Sequence, residues 1–117
     1  MNNSKKLYIN AGTVIVNLLK EEKKNFLPLD RLEQLVDYIY EQLIKQKYID
    51  KYQDIVFNVN FNAIERTVLY NNTVFELVGN TIYLKCNEIP EQIIQKYTSD
   101  ATDDIIIKII KQFANVA

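Results

Sequence analysis

Glu65 and Glu76, with Tyr83 close in the pattern, form the one carboxylate constellation in the sequence whose placement could support acid–base chemistry. If residues 54–86 fold as an antiparallel meander, the two glutamates become diagonal neighbours on one sheet face, roughly 7–8 Å apart at the α-carbons. The acid and base of carbohydrate hydrolysis can use such a separation. An open sheet face provides no cleft, however, and solvated carboxylates are its ordinary content, so a carboxylate-dependent hydrolase is an unfavoured second alternative. The other candidate is Cys86, the single cysteine, but the chain contains no histidine to activate it. Its expected place on the apolar side of the sheet would raise its thiol pKa, so its expected role is packing.

The same inventory limits other chemistries. One cysteine cannot make an intramolecular disulfide, and without histidine it cannot complete a closed zinc site. Gly12 and Gly79 are the only glycines, too few and too far apart for a phosphate-binding loop. No metal or cofactor is expected, and the chain is not expected to be an enzyme. The 117 residues, 48% hydrophobic and 25% charged, fit a single domain spanning 1–117. A net charge of -1 exerts no bulk attraction on phosphate backbones or anionic lipid. The apolar stretch after Met1–Lys6 is interrupted by Asn10, Gly12 and Asn17, which suits neither a signal peptide nor a membrane span. A cytoplasmic location is expected.

The elements that would position these residues follow from periodicity. Asn10-Ala11-Gly12-Thr13 can start a helix with Val14, Ile15, Leu18 and Leu19 at helical spacing; a hairpin pairing Leu7–Ile9 with Thr13–Val16 is the rival. Asp30 and Glu33 resemble a capping box after Pro28, opening a long amphipathic helix through Leu32, Leu35, Val36, Ile39 and Leu43, widened by Tyr40 and Ile44. From Ile55 the period changes to two, and Asn71-Asn72 and Gly79-Asn80 are candidate two-residue hairpin turns. The second turn sets Val78 opposite Thr81, Leu77 opposite Ile82 and Phe75 opposite Leu84. Pro90 and then Thr102 open two further helices, the last with a stripe of Ile105, Ile106, Ile109, Ile110 and Phe113, and Ile107 off it.

The expected fold is therefore α+β: two N-terminal helices, a four-stranded antiparallel meander over about 54–86, and two C-terminal helices packed on one face of the sheet. That register collects Phe57, Val59, Phe61, Val68, Phe75, Ile82 and Cys86 on one face and most polar residues on the other, leaving Leu69, Val74 and Val78 as apolar residues on the polar side. The alternative is a winged helix. There Phe61 to Asn71 is a recognition helix presenting Asn62, Glu65, Arg66 and Asn72, and Phe75 to Lys85, with Gly79 at its tip, is the wing.

With catalysis disfavoured, the leading expectation is a small module that binds another protein, as a regulator or stoichiometric inhibitor. Its candidate interface is the open sheet face, with Asn58, Asn60, Thr67, Leu69, Val74, Glu76, Val78 and Tyr83, together with Ile107 on the last helix, which also offers a surface for a homodimer. The winged-helix alternative would instead contact nucleic acid through Asn62, Arg66, Asn72 and Lys85.

Overall fold

The computed structural model describes residues 6–47, 52, 54–98 and 103–116. Ten elements follow in the order β1 (Lys6–Asn10), α1 (Ala11–Glu22), β2 (Phe26–Pro28), α2 (Leu29–Lys45), β3 (Asp54–Asn58), α3 (Phe61–Tyr70), β4 (Phe75–Val78), β5 (Thr81–Leu84), α4 (Glu91–Lys96) and α5 (Asp103–Ala114). They form an α+β fold with two sheets: β1 and β3 pair in parallel, and β2, β5 and β4 make a three-stranded antiparallel sheet in that order.

The centre is α1. Every residue from Ala11 to Leu19 is buried, because helices and strands surround it, so its sequence is apolar with no polar stripe. Thr13 and Asn17 are accommodated by hydrogen bonds: Thr13 Oγ1 donates to the Tyr97 carbonyl at 3.0 Å, and Asn17 Nδ2 to the Thr13 carbonyl at 2.8 Å. The Tyr97 ring lies against Gly12 so closely that a methyl group there would overlap it. At the other end Lys23 adopts a left-handed conformation (φ 56°) and closes the helix onto Leu19, as a C-terminal cap does.

The expected helix from Asn10 onward is thus present. Of the rival hairpin, Leu7–Ile9 is indeed extended, but its neighbour is β3. The two strands run parallel with Leu7↔Ile55 and Ile9↔Phe57 as partners; Leu7 and Ile9 are fully buried, and the Phe57 ring lies 6.1 Å from that of Tyr40.

The helix expected after Pro28 is α2, with Leu32, Leu35, Ile39 and Leu43 buried. Its start differs from the predicted capping box. Pro28 occupies the N-cap position, and the Leu29 N–H donates to the Asn80 carbonyl at 2.8 Å. The chain therefore passes directly from β2 into α2, and Asp30 falls inside the first turn, where its charge complements the helix dipole. Tyr40 and Ile44 do not widen the buried stripe; both are about half exposed.

The four-stranded meander is not formed. The alternation from Ile55 is a strand, but it ends at Asn58, and the Asn60 side chain accepts the Ala63 N–H at 2.8 Å. That capping bond starts α3, so 61–70 is helical and Ala63, Ile64 and Val68 form its buried side. Asn71-Asn72 consequently ends a helix and is no hairpin turn. Asn71 is buried, donating to the Thr67 carbonyl and to the Tyr97 hydroxyl, both at 2.8 Å.

The second hairpin stands as predicted: Phe75↔Leu84, Leu77↔Ile82 and Val78↔Thr81, with Gly79 at φ 60° in the turn. The third strand of its sheet is β2, through Leu27↔Ile82, which carries too short a pattern to announce itself.

Short α4 begins after Pro90, as expected, and docks on α1 through Tyr97. The predicted N-cap Thr102 lies outside the described residues. The stripe of α5 packs on α1 and α2 rather than on a sheet face, burying Ile106, Ile109, Ile110 and Phe113. Phe113 also lies 4.2 Å from the Arg31 guanidinium and 5.4 Å from the Tyr38 ring. Ile105 and Ile107 of the same helix are half-buried. No helix among the described residues is long and apolar enough to cross a membrane.

Candidate functional site

Once α3 is folded, its two sides separate sharply. Ala63, Ile64 and Val68 are buried, with α3 packed on α1 and β4, while Phe61, Asn62, Glu65, Arg66, Leu69 and Tyr70 all face out. Leu69 is 69% exposed and Tyr70 78%, the two largest values among the exposed large hydrophobic residues described. Solvated helix faces are ordinarily polar; this one carries a leucine and two aromatic rings.

Between α3 and β4 runs a groove walled by Asn62, Glu65, Arg66, Val68, Leu69, Asn72 and Leu77. On the other side of α3, Asn58, Arg66, Thr67, Tyr70 and Lys96 border a smaller depression, together with Asn10 and Gly12. No carboxylate lines it. Among the described residues neither Glu65 nor Arg66 has an ion-pair or hydrogen-bond partner; the ion pair found there joins Arg31 to Glu22 at 2.7 Å, tying the end of α1 to the start of α2.

The predicted partner-binding residues do not form one face. Glu76, Val78 and Tyr83 do share the outer side of the three-stranded sheet, and all three are exposed. Phe26 joins them as the cross-strand neighbour of Tyr83, a contact the sequence reading missed.

Leu69 is exposed as expected, but on a helix. Asn58 is exposed at the end of β3, and Asn60 is committed to capping α3. Thr67 is half-buried, its hydroxyl donating to the Ala63 carbonyl at 2.8 Å. Val74 is buried instead of exposed, because the chain leaving α3 turns back under the helix before β4 begins. Ile107 is half-buried on α5.

Of the residues assigned to nucleic acid, Asn62, Arg66 and Asn72 come together along the α3 groove. Lys85 instead ties the base of the hairpin to the end of α3, its ammonium donating to the Asn72 carbonyl at 2.9 Å. Glu65 and Glu76 are not diagonal neighbours. They stand on different elements, and the alternation of β4 puts Glu76 on the side opposite Leu77, away from the groove that Glu65 lines. Cys86 is half-buried, with its sulfur 3.8 Å from the Thr73 carbonyl.

Phe61 and Tyr70 are exposed on α3 and missing from the predicted interface, as are Tyr8, Phe26, Tyr40, Ile44 and Val116 elsewhere on the surface. Ala63, Ile64, Thr67 and Val68 have the i, i+1, i+4, i+5 spacing of a helix, and Asn60 stands where its cap belongs, so this signal was available. Comparison of the chain with protein-family models, with curated proteins and with solved structures gave no match in any of the three.

Proposed function

We propose that the chain is a winged-helix module that binds another protein through the outer face of α3 and the adjoining groove, acting as a non-enzymatic regulator or inhibitor. The order α1, β2, α2, α3, β4, β5, with β5 between β2 and β4, supports the winged-helix reading. Here α3 stands in the recognition position, β4–β5 forms the wing, and β3 is an insertion before α3 that pairs with β1.

The observation that carries the protein-binding reading is the chemistry of α3. Phe61, Leu69 and Tyr70 are exposed, and its only cation, Arg66, adjoins Glu65. Interfaces between proteins favour aromatic residues, arginine and low net charge. A helix that reads duplex must sit among many phosphate contacts.

Nucleic-acid binding is the second reading. It is favoured by the same element order and by the carboxylate-free depression holding Arg66 and Lys96. A gel-shift titration against a pool of duplexes at two salt concentrations, beside capture of partners by wild type and Leu69→Glu, separates the two. The first reading expects no retarded duplex at physiological salt and a captured protein lost in Leu69→Glu. Duplex binding that falls log-linearly with salt and disappears in Arg66→Ala, with capture unaffected by Leu69→Glu, overturns it.

A further inference from the structure

The outer face of α3 is complementary to itself, and we propose that a partner docking there is a second copy of this chain, its α3 lying parallel to the first. The inference rests on the protein-binding reading of this face. At about 100° per residue, Asn62 and Leu69, one heptad apart, fall within about 20° of each other and mark the centre line of the exposed side. Glu65 lies roughly 50° to one side of that line and Arg66 roughly 50° to the other, at nearly the same height. Neither has a charged partner among the described residues.

A two-fold axis parallel to α3 sets the Glu65 flank of each copy against the Arg66 flank of the other. Two Glu65–Arg66 pairs form across the interface, as an isologous contact requires. Along the seam Leu69 meets Leu69 and Asn62 meets Asn62; a polar pair at one seam position fixes register in parallel helices. Antiparallel packing instead sets Glu65 against Glu65 and Arg66 against Arg66. The charges therefore select the parallel arrangement, while exposed Leu69 supplies apolar area on the seam; Phe61 and Tyr70 lie about 90° to either side of it.

A ten-residue helix is only about 15 Å long, too short to bury the roughly 800 Å² per partner of a standard stable interface. The pair belongs to the weak, concentration-dependent class.

Sedimentation equilibrium of the full chain at up to about 500 μM, where pairs with dissociation constants of that order are substantially populated, tests this. Wild type is expected to self-associate. Arg66→Glu and Glu65→Arg should each weaken association at least about tenfold, since each sets like charges face to face twice. The double exchange Glu65→Arg/Arg66→Glu should restore it. An equimolar mixture of the two single variants should form a heterodimer, the all-acid flanks of one meeting the all-basic flanks of the other. Both positions are exposed, and circular dichroism checks that each variant remains folded.

A wild type that stays monomeric, single variants that associate as wild type does, or a mixture that fails to associate overturns the proposal. A monomeric wild type that still captures another protein in a Leu69-dependent way overturns self-pairing alone and leaves the protein-binding reading standing.

Discussion

Helices α1 and α3 are both rich in apolar side chains, yet the structure treats them oppositely. All nine residues from Ala11 to Leu19 are covered by the rest of the domain, whereas α3 buries three and presents Phe61, Leu69 and Tyr70 to solvent. In α1 hydrophobicity is explained by folding: strands β1 and β2 and helices α3, α4 and α5 all contact it. In α3 folding accounts for Ala63, Ile64 and Val68 and leaves the opposite side unaccounted for. An apolar helix is thus informative about function only after its buried side has been subtracted.

Substitutions on the two helices should separate accordingly. The largest effect is expected in α1: Leu18→Ala removes a side chain with no exposed surface and should lower stability by about 2–5 kcal/mol, read from the midpoint of urea denaturation. A loss below about 1 kcal/mol would mean that α1 is not the centre of the fold. Intermediate in size is Asn60→Ala, which removes the hydrogen bond to the Ala63 N–H and should cost about 1 kcal/mol, with amide exchange quickening first at the start of α3. Faster exchange in α1 and unchanged exchange in α3 would contradict the assignment of Asn60 as its cap.

The smallest effect on stability is expected for Leu69→Ser, within about 0.5 kcal/mol, as for an exposed position, together with loss of partner binding. If Leu69→Ser destabilises the fold as strongly as Leu18→Ala, the outer side of α3 is core, and the contrast between the helices disappears.

Much of the local structure was legible. Helix α2 followed from the spacing of Leu32, Leu35, Ile39 and Leu43, and the β4–β5 hairpin was placed in register from Gly79-Asn80, since few turns fit a two-residue loop at φ > 0. Burial of Val68 and Phe75 and exposure of Leu69 were anticipated as well, although from a sheet where the first and last of these belong to a helix. That agreement is partly accidental. Adjacent residues such as Val68 and Leu69 fall on opposite faces of a strand, and they can also straddle the boundary of a helix's buried side, so the pair does not distinguish the two periods.

The leading expectation took 61–70 as strand, where the winged-helix alternative had a helix, because its β-branched Ile64, Thr67 and Val68 continued the apolar run of β3 without an obvious break, while Asn60, which interrupts it, also fitted the polar side of a strand. Val74 was misplaced by the same error, since its exposure had been derived from a hairpin turn at Asn71-Asn72.

What the sequence determined by itself is what depends on near neighbours: the helical period of α2, the turn at Gly79-Asn80, and a chemical inventory without histidine and with one cysteine. Tertiary structure alone decided which strands are partners, placing β1 beside β3 through Leu7↔Ile55 and β2 beside β5 through Leu27↔Ile82, pairs far apart along the chain. It also decided that Glu65, Arg66 and Leu69 share one outward surface. Local preferences for helix and strand differ by no more than about 1 kcal/mol per residue, and burying a single large side chain is worth about 1.5–3 kcal/mol. In 61–70, where the local preferences nearly balanced, the helix allows Ala63, Ile64 and Val68 to be buried together, and that burial decided the outcome.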